Sequence, residues 1–251
     1  MQISFLGTGA PLSPNRATLG LLIRDEGAEP LLIDSSGGFE IYRSMAAIGQ
    51  KLDDIKHVVI SHKHGDHMAG IMAVVLAGHA PSFYGLPDTM TAAEKLFDLT
   101  YPNVSPVLDT KPKYVNIEYG EKRNIAGYSF SFYKANHRVP TVAMRIERNT
   151  KVLAYSADCI PGQEIIDSAY EADIFICDAL CASGDVSAER LQGLMHPSAK
   201  EAAEMAQKAK AKSLAMVHIA RFADTGKMLS EARKNYDGPI SIPFDGSHVV
   251  I

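Results

Sequence analysis

An apolar run, Val58-Val59-Ile60, stops at Ser61, and four metal-capable side chains follow within six residues: His62, His64, Asp66 and His67. Side chains alternate along an extended backbone, so if the strand direction persists His62, His64 and Asp66 project from one side. His67 begins a helix-like run and can offer its ring to a second position nearby. Imidazole and carboxylate are ligands for zinc and for borderline divalent ions. A lone histidine is more often a surface residue or a satisfied core residue, but four ligand types packed this tightly point elsewhere. The cluster is expected to be half of a two-metal hydrolytic site.

Such a site needs further ligands, and the elements that would deliver them are legible. Apolar stretches read as strands at 2–6, 19–24, 30–33, 57–60, 82–84, 115–117, 123–125, 128–134, 142–147, 152–155, 173–177, 213–217, 239–243 and 249–251. Helical spacing marks 39–49, 68–77, 88–99, 197–211 and 225–236. Residues 101–113 carry three prolines and read as loop. His137, Asp158 and His218 each stand at the end of a strand, where functional residues collect. They are the candidates to complete the ligand set. Asp34 also closes a strand, and serves as a cap, a turn residue or an orienter of a ligating histidine. Gly7-Thr8-Gly9 is read as a tight turn rather than a phosphate loop. An internal echo pairs Ile55–His62 with Ala211–His218, and Leu31–Asp34 with Val152–Asp158. It suggests one domain, 1–251, made of two pseudo-symmetric halves, roughly 1–125 and 126–251, with the site between them.

The 251 residues suffice for a large core, and 46% hydrophobic with 22% charged residues is ordinary for a water-soluble globular chain. A net charge of −4 does not demand an extended nucleic-acid face. Three cysteines without a C-x-x-C pair argue against a disulfide framework and suit a reducing cytoplasm. Neither a signal peptide nor a membrane span is expected.

His62-Lys63-His64-Gly65-Asp66-His67 resembles the H-x-H-x-D-H motif of the metallo-β-lactamase fold superfamily. Phe5-Leu6-Gly7-Thr8-Gly9, the H-x-H-G-D-H-x-x-G form, and His196-Pro197-Ser198-Ala199 resemble its ribonuclease Z branch along essentially the whole chain. The resemblance implies an α/β four-layer αββα sandwich. It implies that His62, His64 and His137 hold one metal, that Asp66, His67 and His218 hold a second, and that Asp158 bridges them. Asp34 would orient a ligand instead of binding metal, and His196 would protonate the leaving group. The expected cofactors are two divalent ions, Zn2+ with Mn2+ or Fe2+ as alternatives, and a homodimer is the expected assembly.

Departures from that branch redirect the substrate. The branch carries a long tRNA-gripping arm between the positions of His137 and Asp158, where only twenty residues lie here. Its H-E-A-T stretch reads Cys177-Asp178-Ala179-Leu180, and its early D-C-G-E-G reads Asp34-Ser35-Ser36-Gly37-Gly38. The expected function is hydrolysis of a small nucleotide-type phosphodiester, with Asp66 orienting the nucleophile and His196 as acid. The alternatives are tRNA 3′-end cleavage, with Lys208, Lys210 and Lys212 as an RNA surface, and a lactone or thioester hydrolase. A metal-bound sensor would retain the ligands without turnover. A redox di-iron role is disfavoured because His64 stands where such relatives carry an acid. His57 and His79 are expected to be structural, while His248, after Asp245-Gly246-Ser247, is left unassigned as a candidate for the pocket.

Overall fold

Apolar runs on both faces of most strands require a layer on each side, and the fold supplies them. In a computed structural model, which describes residues 1–77, 80–104 and 111–251, two seven-stranded sheets pack face to face with helices outside both. The first sheet holds β1 (Gln2–Gly7), β2 (Gly20–Arg24), β3 (Leu31–Ile33), β4 (His57–Val59), β5 (Ser82–Gly85) and β6 (Lys113–Asn116), and β14 (His248–Val250) joins it beside β1. The second sheet runs in sequence order through β7 (Lys122–Ile125), β8 (Tyr128–Ala135), β9 (Thr141–Arg148), β10 (Lys151–Tyr155), β11 (Ile174–Asp178), β12 (Leu214–Val217) and β13 (Ile240–Ser241).

Strand alternation sorts the core into three layers. Ile3, Leu21 and Ile33 meet Phe130, Met144, Tyr155 and Val217 between the sheets. Leu22, Leu32, Val58 and Phe83 face the other way, under α1 (Glu40–Ala47), α3 (Ile71–Leu76) and α4 (Pro87–Thr100). Phe175, Cys177 and Met216 lie under α5 (Gln163–Ser168), α7 (Ala199–Lys208) and α8 (Thr225–Ala232). Each fully buried Leu, Ile or Phe contributes roughly 1.5–3 kcal/mol. This is the expected αββα sandwich.

Both echoed segments are parallel strands. β3 to β6 are parallel neighbours in the first sheet, and β10 to β13 in the second. Ligand sites in such sheets form beyond the carboxyl ends of the strands.

Some boundaries differ from the sequence reading. The helix expected at 197–211 begins at Ala199, because Ser198 caps it and forms a reciprocal capping box with Glu201; Pro197 stands before the cap. It ends at Lys208, two residues before Lys210 takes a left-handed φ of 53°. Two short helices went unrecognised, α5 and α6 (Ala188–Leu194). β6 starts at Lys113, inside the stretch expected to be loop, while 105–110 of that stretch and His79 lie outside the described residues. His57 is structural as expected: its ring stacks on Tyr84 at 5.9 Å and reaches Glu29 at 3.2 Å.

Candidate metal centre

The strand direction after β4 does not persist. The Ser61 N–H leaves the ladder and donates to Asp34 Oδ1 at 2.7 Å, and Gly65–Met68 winds into a helical turn, α2. His62 and His64 therefore group together, whereas Asp66 and His67 point from the turn to a second place. His137 arrives after β8, Asp158 after β10 and His218 after β12. The seven residues form two sets that share Asp158: His62, His64, His137 and Asp158; and Asp66, His67, Asp158 and His218. Within each set the potential ligand atoms lie within 4.8 Å of one another.

In the first set three ring nitrogens face a common point. His62 Nε2 is 3.0 Å from His64 Nδ1, and His137 Nε2 is 3.2 Å from the same atom. In the second, His67 Nε2 and His218 Nε2 both lie 3.4 Å from Asp66 Oδ2. Asp158 spans both sets. Its Oδ2 is 3.7 Å from His62, 3.8 Å from His137 and 3.4 Å from His218, and its Oδ1 is 3.3 Å from His67.

A layer behind the rings fixes their tautomers. Asp34 is fully buried and accepts four hydrogen bonds: from Ser61 N–H, Ser61 Oγ–H (2.9 Å), Tyr155 O–H (2.8 Å) and His67 Nδ1–H (2.8 Å). His62 Nδ1–H donates to the Ser61 hydroxyl at 3.0 Å, so one carboxylate orients two rings. His137 Nδ1–H points at the Met195 carbonyl at 3.3 Å. In the neutral ring each of these bonds leaves Nε2 as the lone pair facing the site. Asp178 plays the corresponding part on the other side. Its Oδ2 accepts from His196 Nδ1–H at 2.7 Å and its Oδ1 stands 3.6 Å from His218 Nδ1. The rings of His196 and His218 stack at 4.8 Å.

The electrostatics match a cation-binding arrangement. Burial pushes His62 well below its ordinary value, lowers His64, and takes His137 down to about 4, so these three are neutral, ligand-ready imidazoles at neutral pH. Burial works against charge on His67 too, yet the Asp158 and Asp34 carboxylates outweigh it and hold that ring well above its ordinary value. Asp66 and Asp158 resist burial and stay well below the usual carboxylate range because of the His218 and His67 rings. The donor set fits metal on a further ground. His67 Nε2 and Asp158 Oδ1, which face the site, are buried and lack hydrogen-bond partners, which is costly unless a cation completes them.

The glycine-rich loop buttresses this layer through close approach. A Cβ on Gly7 would sit 1.8 Å from the Thr18 carbonyl oxygen, and one on Gly9 2.7 Å from Arg16 Cβ. Thr8 Oγ1–H donates to Asp245 Oδ1 at 2.7 Å, and Ala17 N–H to Asp245 Oδ2 at 2.5 Å. The Thr8 carbonyl then accepts from Ile219 N–H at 3.1 Å, and Ala10 N–H donates to the Ile219 carbonyl at 3.0 Å. That grip falls next to His218, whose φ of 61° is left-handed.

His248 is not brought into the group. It lies exposed on β14 opposite Ser4, because Gly246 (φ 82°) turns the chain onto the outer edge of the first sheet. Of the lysines considered for RNA, Lys212 is held by Asp173 at 2.9 Å and Lys210 lies over the Tyr170 ring. Sequence reasoning missed Asp178, Ser61 and Tyr155 as parts of the site. The one signal was an acid at the end of an apolar run at Asp178, the pattern already noticed at Asp34.

Two sheets presenting histidines and carboxylates at their strand ends define a metal-dependent hydrolase of the metallo-β-lactamase fold. The chain belongs to the β-lactamase superfamily: the family model described as "Beta-lactamase superfamily domain" matches residues 31–219. It is 24% identical over 310 aligned positions to a protein named Ribonuclease Z from Haloarcula marismortui, covering 98% of this chain and 95% of that one. Those 310 positions exceed the 251 residues here, so that relative carries internal segments without a counterpart. The metallo-β-lactamase fold protein YhfI from Bacillus subtilis matches with a TM-score of 0.85 at 22% identity, covering 99% of this chain and 98% of that one. A diphosphatase from the PhnP family matches with a TM-score of 0.75 at 17% identity, covering 100% and 97%.

Proposed function

We propose that this hydrolase cleaves phosphodiester bonds in small nucleotide-type substrates and binds two divalent ions, zinc first, with manganese or iron also suited to the donors. His62, His64, His137 and Asp158 would hold one ion, and Asp66, His67, His218 and Asp158 the other, with Asp34 orienting His62 and His67. Bound there, the ions would supply Lewis acidity at the phosphoryl oxygens and a water acidified to near neutrality.

The observation that carries the reading is the His196–Asp178 pair at the rim of the cluster. Burial disfavours the imidazolium, but in the metal-free protein Asp178 outweighs it and raises His196 to about 9. With Nδ1–H kept on Asp178, Nε2–H is the proton available to a departing alkoxide. Asp66 accepts a hydrogen bond from the attacking water and orients it. Compact substrates are supported by the hairpin of β9 and β10, which uses up the residues between His137 and Asp158 and leaves none for an arm. The relative named Ribonuclease Z from Haloarcula marismortui, and the diphosphatase match, favour phosphate chemistry over lactones or thioesters.

The second reading, tRNA 3′-end cleavage, draws on the same relative. Metal-loaded protein assayed on bis(p-nitrophenyl) phosphate, 3′,5′-cyclic nucleotides and a pre-tRNA decides between them. Turnover of the small diesters with an intact pre-tRNA is expected; pre-tRNA cleavage without small-diester turnover would reverse the order.

A further inference from the structure

A cavity of about 610 Å³ opens beside His196, a size usual for small-molecule sites. It lies between α6, the start of α7 and the Ile160-Pro161 turn that follows Asp158. His196 lines it, so a group departing from that ring has this space to occupy. Ile160, Pro161, Ala188 and Leu191 give it apolar walls, and Gln192 contributes an amide from the exposed side of α6. A second cavity, about 400 Å³, flanks Asp66 and is bordered by Leu12 and Phe39. His218 stands between the two, stacked on His196 and 3.4 Å from Asp66 Oδ2. The two arms of a phosphodiester thus have separate destinations.

The charges around the first cavity are arranged against a second anion. Lys200 is met by Glu204 at 3.8 Å. The amino end of α7 would be an ordinary place for a phosphate, but the chain fills it itself. Glu201 Oε2 accepts from both the backbone N–H and the hydroxyl of Ser198 at 2.8 Å, and Ser198 Oγ accepts from Glu201 N–H at 3.3 Å. His196 is answered by Asp178. Each positive group lining the cavity therefore already faces a carboxylate.

We propose that this cavity is the leaving-group subsite, that it takes a neutral, nucleoside-sized group with Gln192 pairing to its polar edge, and that it rejects a leaving group carrying a second phosphate. The proposal rests on the phosphodiesterase reading above. In the step, the oxygen of water forms a bond to phosphorus as the bond from phosphorus to the leaving oxygen breaks. His196 gives its proton to that oxygen, and the proton lost by the water restores the balance through solvent. One water is consumed, and an alcohol and a phosphomonoester result.

The test compares uridylyl-(3′→5′)-uridine with the same dinucleotide phosphorylated at its free 5′ end or its free 3′ end, with product analysis identifying the nucleoside that leaves. Phosphate on the leaving nucleoside is expected to lower kcat/KM by about tenfold or more, and phosphate on the retained one much less. Glu204→Lys, at a half-buried position on the cavity wall, should narrow that gap, and Leu191→Trp should raise KM for the unmodified dinucleotide. Equal kcat/KM for all three substrates, or a gap unmoved by Glu204→Lys, overturns the subsite while bis(p-nitrophenyl) phosphate turnover keeps the parent reading. No turnover of any diester by metal-loaded protein overturns both.

Discussion

Asp34 and Asp178 stand in matching places in the two sheets, each at the carboxyl end of a parallel strand with one oxygen on the Nδ1–H of a site histidine. Asp34 holds His67 at 2.8 Å and Asp178 holds His196 at 2.7 Å. The two neighbourhoods have different consequences. Asp34 meets only neutral donors besides His67, all of them satisfied, and so builds a rigid ligand layer. Burial pushes the Asp178 carboxyl up, with the Asp158 carboxylate adding to it, while its contact with His196 keeps a proton at the rim.

Replacing Asp34 with Ala strands the Tyr155 hydroxyl and the Ser61 N–H, and frees the rings of His62 and His67 to turn. Metal affinity is expected to fall about 10–100-fold. Removing one partner of a buried pair should also cost about 3–5 kcal/mol. Competition with a chromogenic chelator measures the first and chemical denaturation the second; unchanged metal affinity would remove Asp34 from the orienting role.

His196→Ala should lower phosphodiester turnover about 10²–10⁴-fold, the usual worth of a positioned acid. Metal content, read by elemental analysis, should be unchanged. Parallel loss of metal would make His196 a ligand instead. Asp178→Asn removes the charge that raises His196, so the alkaline limb of the rate profile should move to lower pH.

The same pair gives the metal-free protein a pH-dependent stability. His196 titrates at about 9 when folded against an ordinary 6.5, a raised value, so its contribution is complete below the unfolded value and is lost as pH rises through the folded one. The difference in Tm between metal-free wild type and His196→Ala should therefore shrink from pH 7 to pH 10. A difference that stays flat over that range would refute the charged pair.

Two glycines of the opening motif should behave oppositely. A Cβ on Gly70 would lie 1.7 Å from the Ser35 carbonyl oxygen, whereas one on Gly65 meets nothing within 4 Å. Gly70→Ala should cost about 1–3 kcal/mol through overpacking, or a few degrees of Tm for each kcal/mol. Gly65→Ala, in the first turn of α2, should be neutral or slightly stabilising. Thermal melts of both variants in parallel check the contrast.

The metal-capable residues were legible in the sequence because their crowding is local: His62, His64, Asp66 and His67 fall within six positions, and His137, Asp158 and His218 close recognisable strands. Their division into two sets came from the family resemblance and not from spacing, which put Asp66 with His62 and His64, because the division depends on where β4 ends, and that is decided by Asp34, far away in sequence, drawing Ser61 out of the ladder. Asp178 escaped because its role exists only once β11 lies between β10 and β12. Short helices such as α6 leave too few turns for a period to show. His248 could not be assigned from sequence because proximity to Asp245 says nothing about which side of an edge strand it takes.

The grip of Asp245 on Thr8 closes a loop of 237 residues and steadies the backbone beside His218. A chain leaving the ribosome makes Thr8 early and Asp245 late. Until then the loop that braces His218 has no anchor, and contacts of such long range form slowly. Competence for chemistry thus waits for Asp245: a chain that already holds every proposed ligand up to His218 still lacks the brace that sets His218, so the ligands come first and their final placement later.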